Sequence, residues 1–528
     1  MLKRILTLFV LFALLVSTGV AGQVPTASPQ VETLLYEAGA DKTPLRGVIG
    51  IPQGSDSPLV VLLHGRHLEG EQDTTPYYQG LAYLARELAA RGFFALSIDM
   101  NPVYQQEGDE VEAAFQLVEA HLALLGKANG GEKVFKQSLQ GKVDMNTLYF
   151  VGHSRGGGIA PLLANLYLAR GKKVKGSMLL APTSYIGIAS EDGKKVLGSA
   201  DYPLPGMQTS VPAPAQVPTA VLLPQFDGDM PDLPGYSPWL NAMQVSRPKL
   251  PVLVTSLKQA NHVSLNSELD GRQDPQVFDG AALAAPDIIR AFAALYVGEV
   301  CSFLQAGKPL EDRLNPDYFA TYPLPCALTA YAPGALNLAE APNLHLKGIK
   351  TKELSAKLVN ATALQNGQHT SGLFSPPGLD GTADSPVLVY DITWQKADKA
   401  PRLTMDILPL AKPLLPTSRL LITWAVNASN PLNDPGLGME VEITLSDGKR
   451  QAAVALSSQK DTSLQFEKGT EETDPLGNPV WSRPQPLLTQ VIPLERFAGA
   501  DLGSLKTLTI VPKLPQGALM LYSVQVLP

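Results

Sequence analysis

From about residue 32 onward, short continuous apolar runs alternate with amphipathic stretches. Leu59 to Leu63 is unbroken apolar and closes on His64-Gly65, the pattern of a strand buried on both faces. Tyr77 to Arg91 carries Leu81, Leu84, Ala85 and Leu88 at helical spacing and stops at Gly92. Phe93 to Ile98 predicts the next strand. Val111, Phe115, Val118, Leu122 and Leu125 mark one face of a second helix that ends near Gly130-Gly131. Thr147 to Val151 predicts a strand and Ile159 to Arg170 a helix. Strands are expected over Val174 to Leu180, Ala220 to Leu223 and Val252 to Leu257, and a last long helix over Ile288 to Leu304. Strand and helix in alternation, with strands apolar throughout, predict a mostly parallel sheet with helices on both faces. The stretch 183–218 breaks this rhythm. Rich in proline and glycine and without a period, it is expected to be an irregular insertion of the kind used as a lid or binding loop.

Near residue 335 helical spacing disappears. Val441, Ile443 and Leu445 alternate with Glu442, Thr444 and Ser446, Asp447-Gly448 predicts a turn, and Ala453 and Ala455 begin a return strand. Leu420 to Val426, Thr489 to Pro493, Leu508 to Val511 and Leu519 to Val526 read as further strands, so residues 336–528 are expected to form an all-β sandwich. Trp424 is in phase with Ile422 and Val426, and Trp394 with Tyr390 and Ile392, which puts both on a buried face. Trp481, in a proline-rich stretch, is the tryptophan left for an exposed sugar platform, and carbohydrate or cell-surface contact through this region is the less favoured reading. The sequons at Asn360 and Asn427 matter only where the source glycosylates.

The N-terminus changes the picture of location. Lys3 and Arg4 precede Ile5 to Val16, apolar but for Thr7, and small residues follow at Gly19, Ala21 and Gly22. This is the pattern of a cleaved secretory signal over 1–22, followed by a linker over 23–31 and a first domain over 32–335. A retained membrane anchor is the alternative, disfavoured because a bilayer crossing needs about 20 apolar residues. In an exported chain the two cysteines, Cys301 and Cys326, are expected to form a disulfide, which would contribute roughly 3 kcal/mol by the chain-entropy model. Apolar residues make up 45% of the 528 positions and charged residues 17%, the composition of a folded protein. A net charge of −7 without a basic face excludes a nucleic-acid partner.

Candidate chemistry centres on Gly152-His153-Ser154-Arg155-Gly156-Gly157, a G-x-S-x-G between a predicted strand and a predicted helix. A serine there sits on a sharp turn, and the flanking glycines leave room that a Cβ would fill. Serine needs a base, and His262 is the histidine after Ser154 that lies within the α/β region, in the loop following the strand Val252 to Leu257. The acid that orients it must fall between them. Glu191, Asp192 and Asp201 lie in the irregular insertion; Asp227, Asp229 and Asp232 follow the strand Ala220 to Leu223. Laying a G-x-x-D turn over Phe226-Asp227-Gly228-Asp229 selects Asp229, with Asp227 the alternative. The backbone N–H groups of Arg155 and Arg66 are the expected oxyanion-hole donors, with His67 the near alternative to Arg66. The Arg155 side chain is expected in a structural ion pair rather than on a substrate carboxylate. His64 is expected to bond within its own loop, and His153 to pack on the sheet.

These residues resemble the α/β-hydrolase fold superfamily. The Gly-His-Ser-Arg-Gly-Gly elbow is similar to those of chlorophyllases and of dienelactone-hydrolase and cutinase-like enzymes, and Leu222 to Asp229 with Ala260-Asn261-His262 resembles secreted bacterial hydrolases of that superfamily. The C-terminal strands resemble a jelly-roll accessory domain. The resemblance implies hydrolysis of a carboxylic ester, small-molecule or lipid or polymer, through an acyl-enzyme, with no metal or organic cofactor. Acyl transfer to another acceptor, amide hydrolysis, and a non-catalytic binding protein on the same scaffold are the alternatives it leaves.

Overall fold

The computed structural model describes residues 32–38, 44–67, 69–70, 73–106, 110–183, 216–230, 234–236, 238–239, 242–243, 250–274, 282–315, 322–340, 346–347, 354–360, 364–365, 368–369, 388–395, 401–410, 413–428, 430–468, 471–473, 479–481 and 485–528. The expected signal, the linker, most of the insertion, and Glu191, Asp192, Asp201 and Asp232 lie outside them.

The first sheet runs β1 (Glu32–Ala38), β2 (Leu45–Ile51), β3 (Ser57–Leu63), β4 (Phe94–Ile98), β5 (Val143–His153), β6 (Lys173–Leu180), β7 (Thr219–Phe226), β8 (Val252–Asn261) and β9 (Cys326–Tyr331) in the chain. In space the order is β1-β2-β4-β3-β5-β6-β7-β8-β9. The strands from β4 to β8 pair parallel, while β1, β2 and β9 are antiparallel additions at the two edges. Helices α1 (Ala82–Ala90), α2 (Asn101–Tyr104), α3 (Glu110–Asn129), α4 (Arg155–Ala169) and α5 (Pro286–Gln305) cover it. Two apolar clusters fill the two faces: Leu59, Val61, Phe150 and Ile159 belong to one, Val60, Leu62, Val151 and Phe292 to the other. Neighbours along β3 thus point to opposite layers, which is why the strand reads as continuously apolar.

The helix expected over Tyr77 to Arg91 is shorter. Gln79–Leu81 forms a 3₁₀ turn before α1. Asn266 Nδ2 donates to the Tyr77 carbonyl at 3.0 Å, and a Cβ on Gly80 would stand 1.6 Å from Asn266 Oδ1. The Tyr77 carbonyl also accepts from the Gly80 amide at 3.1 Å, three residues on, the bond that makes this a 3₁₀ turn. The larger departure is in β7 and β8. Both outrun their predicted ends, to Phe226 and Asn261, and these two residues are register partners.

Beyond β9 the described residues build two larger antiparallel sheets, besides the two-stranded pairs Leu364–Gln365 with Gln368–His369 and Glu471–Thr473 with Pro479–Trp481. One joins Leu354–Asn360, Leu388–Gln395, Gln516–Leu527, Arg419–Val426 and Leu488–Pro493, with Leu336–Glu340 also on Gln516–Leu527; the other joins Leu346–Lys347, Leu403–Asp406, Thr507–Pro512, Glu440–Ser446 and Gln451–Ser457. Trp394 and Trp424 are buried in the cluster between them, with Ile443, Phe497 and Ile510, and so form no sugar platform. Trp481 closes the short strand Pro479–Trp481, and its side chain lies outside the described residues. Asn427 is buried, which closes that sequon to a glycan. Leu421, Val491 and Leu527 of this region share an apolar cluster with Leu253 and Leu328 of the first sheet. The Ala330 amide donates to Thr489 Oγ1 at 3.1 Å.

The cysteines correct an expectation. Cys301, on α5, and Cys326, at the start of β9, are both free thiols, buried in one apolar cluster. Burial pushes the Cys326 thiol up to about 12 and raises that of Cys301 as well. The pair fills the core as small hydrophobes in place of the predicted cross-link.

Candidate active site

The carboxyl ends of β3, β5, β7 and β8 meet at one place, and each delivers one part of the site. β5 hands over to α4 at Ser154, which holds φ 54° and ψ −124°. A side chain resists this left-handed backbone, and the surroundings hold it there. The Ser154 amide donates to the Leu180 carbonyl at 2.9 Å, and its own carbonyl accepts from Gly158 and Thr183. The elbow's glycines answer a steric demand. A Cβ on Gly152 would stand 2.1 Å from the Gly156 carbonyl oxygen, and one on Gly156 would stand 2.4 Å from that of Leu63. Arg155 is the first residue of α4, where helix N–H groups have no acceptor of their own. Its guanidinium takes Glu110 in a two-pronged pair at 2.8 and 3.0 Å, the structural role expected of it.

The loop after β3 passes against the serine. A Cβ on Gly65 would meet Ser154 Cβ at 2.5 Å and His67 Nε2 at 2.6 Å. Arg66 follows that contact with its side chain exposed. His64 serves the loop itself, with Nδ1 against the Gly65 carbonyl and Nε2 accepting from the Met100 amide, both at 2.8 Å. The His67 carbonyl accepts from Tyr77 Oη at 2.7 Å and from Arg272 Nη1 at 3.1 Å. The His67 ring lies 5.2 Å from that of His153 and 6.0 Å from that of His262. His153 lies 4.8 Å from His262, so it is part of the site rather than only sheet packing. Burial lowers the pKa of both His67 and His153 well below the ordinary imidazole value, which keeps them neutral.

His262 is 1% exposed and follows β8 directly. Its Nδ1 stands 3.0 and 3.1 Å from the two carboxylate oxygens of Asp227, which is equally buried and follows β7 directly. Asp227 also accepts from the Met230 amide at 2.8 Å. The preference for Asp229 is therefore corrected. Asp229 stands on the far side of the ring, 3.3 Å from Nε2, off hydrogen-bond geometry and with a side chain 37% exposed. It cannot orient the ring through Nδ1. The reason is the length of the strands: with Phe226 paired to Asn261, the next residue on each strand is Asp227 and His262. Burial alone would lower the pKa of His262, but the carboxylates of Asp227, Asp229 and Asp274 outweigh it and hold it above the ordinary imidazole value. Asp274, which no motif marks, is buried beside the pair and accepts from the Gly228, His262 and Val263 amides.

No family model and no curated relative matches the chain. Solved structures do. A thermostable esterase from Pseudomonas putida matches at 19% identity, covering 49% of this chain and 83% of its own, with a TM-score of 0.30. An arylesterase matches at 14%, covering 54% and 88%, with a TM-score of 0.33. The dienelactone hydrolase of Anabaena variabilis matches at 15%, covering 53% and 100%, with a TM-score of 0.30. The sheet order and the serine elbow have already decided the architecture. This is the α/β-hydrolase fold, followed by a β-sandwich.

Proposed function

We propose that the protein is an exported serine hydrolase that cleaves small carboxylic esters through an acyl-enzyme. The observation that carries the reading is Ser154 in its strained elbow, set at the strand ends that also carry a buried carboxylate–imidazole pair. Ser154 Oγ attacks the ester carbonyl while His262 Nε2 takes its proton. Asp227 on Nδ1 holds the ring in the tautomer that leaves Nε2 free to accept, and stabilises the imidazolium. The Arg155 and Arg66 N–H groups are the donors for the developing oxyanion, at a helix start and beside the serine. His262 returns the proton to the leaving alkoxide. A water, deprotonated by the same base, then releases the acid and regenerates Ser154. Export is supported by the N-terminal pattern of Lys3, Arg4 and the apolar run Ile5 to Val16.

A fluorophosphonate probe tests the reading. Wild type is expected to label at Ser154, and Ser154→Ala is expected to lose both labelling and p-nitrophenyl ester turnover. Full turnover by Ser154→Ala overturns it. The mature N-terminus of protein recovered outside the cytoplasm tests export, with a cut after Ala21 or Gly22 expected and an intact Met1 refuting it.

A further inference from the structure

We propose that Asp274 is a positioning residue of the triad, its buried carboxylate tying the loop that carries the acid to the loop that carries the base. The proposal rests on the Ser154–His262–Asp227 reading. One oxygen, Oδ2, accepts from the Gly228 amide at 3.3 Å and from the His262 amide at 3.0 Å, and Oδ1 accepts from the Val263 amide at 3.1 Å. Gly228 is the residue after the acid, and His262 and Val263 are the base and its successor. One side chain, 5% exposed, thus holds both members of the pair by their main chains. Charge-assisted bonds of this kind are among the stronger ones, and burial makes their loss costly.

The segment bearing Asp274 is itself anchored. Asp270 takes the guanidinium of Arg290, on α5, at 2.8 and 3.0 Å. Arg272 donates to the His67 carbonyl in the loop after β3 and pairs with Glu69 at 3.0 Å. Residues 270–274 therefore touch the oxyanion-side loop, the acid loop and the base loop in turn, with α5 as the fixed end. A triad whose groups come from three separate strand ends needs such a tie, because a misplacement of the base by about 1 Å can cost about a hundredfold in rate. Among the described residues the ionisable groups set against Asp274 are Asp227 and His262; Arg272 pairs with Glu69. Burial and Asp227 push the Asp274 carboxyl up to about 6. Above that pH it adds a negative charge on the His262 imidazolium, alongside Asp227.

The test is Asp274→Asn, an isosteric change that keeps an acceptor, loses the charge, and turns an NH₂ toward a backbone N–H. On the alkaline plateau kcat for a p-nitrophenyl ester is expected to fall by about ten- to a hundredfold, with KM within about threefold, as for a lost charged hydrogen bond felt in the transition state. The acid limb of kcat/KM is expected to move to lower pH, since a charge that favours protonated His262 is gone. A merely structural defect lowers the active fraction at every pH and leaves the limb in place. Asp274→Ser, smaller and also uncharged, is read the same way if the amide variant does not fold. Labelling of wild type by fluorophosphonate separates the two readings. Wild type that neither labels nor turns over ester overturns the triad and this proposal with it. Wild type that labels, with an Asp274→Asn variant of unchanged kcat and unmoved acid limb, overturns the role of Asp274 alone.

Discussion

Replacing Asp227 by Asn asks whether the buried carboxylate, and not Asp229, runs the base. The change keeps volume at a site 1% exposed, so the packing is left intact. It removes the negative charge beside His262 Nδ1 and replaces one of the two oxygens, which stand 3.0 and 3.1 Å from Nδ1, with an NH₂. If the amide donates to Nδ1, the imidazole proton moves to Nε2, and Nε2 can no longer take the proton of Ser154. The stabilisation of the imidazolium is lost as well. Where a triad has been tested in this way turnover drops by about four powers of ten, which at 1.36 kcal/mol per decade is about 5 kcal/mol of transition-state stabilisation. Asp229 stands 3.3 Å from Nε2 with its side chain 37% exposed, where water screens its charge. Asp229→Asn is therefore expected to change kcat by less than about tenfold. Initial rates on a p-nitrophenyl ester, normalised to active sites by fluorophosphonate titration at long times, give both numbers. An Asp227→Asn enzyme within tenfold of wild type, with Asp229→Asn crippled, refutes the argument from strand length.

Three further outcomes follow from the same structure. Because three carboxylates hold the His262 pKa above the ordinary imidazole value of about 6.5, and catalysis needs the ring neutral, kcat/KM is expected to rise with pH through a limb above that value; a limb at or below it, measured on a substrate without ionisable groups, refutes the electrostatic reading. The thiols of Cys301 and Cys326, buried and raised, are expected to resist alkylation in the native protein and to give two alkylated sites after denaturation; a cross-linked peptide pair in an unreduced digest of denatured protein refutes this. A chain cut near residue 335 keeps every proposed catalytic residue but strips Leu421, Val491 and Leu527 from a cluster shared with Leu253 and Leu328. It is expected to aggregate on size-exclusion chromatography, and a soluble monodisperse fragment shows that the first sheet holds its shape alone.

Much of this protein is legible along the chain, and the reason is local. Buried parallel strands are apolar throughout, so Leu59 to Leu63 and Val174 to Leu180 announce themselves, and a helix shows its face by spacing, as α5 does. Ser154 is legible because the elbow needs Gly152 and Gly156 at fixed offsets to avoid backbone clashes with neighbours a few residues away or on the adjoining strand. His262 is legible by elimination among seven histidines. The choice between Asp227 and Asp229 was not open to such reasoning. Pro224 interrupts the apolar run of β7, and Lys258 and Gln259 are polar positions in β8, so both strands look finished before they are. Their true ends are set by pairing with each other, and that pairing places Asp227 beside His262. Asp274 bears no local mark at all: an aspartate in a polar turn becomes a buried acceptor only when two distant loops close over it. The free thiols follow the same rule, since their burial in one cluster comes from how α5 and β9 pack and not from their spacing. What the residues decide alone is whatever depends on neighbours within a few positions. Which groups share a proton, a charge or a wall is decided only when the strands are laid side by side.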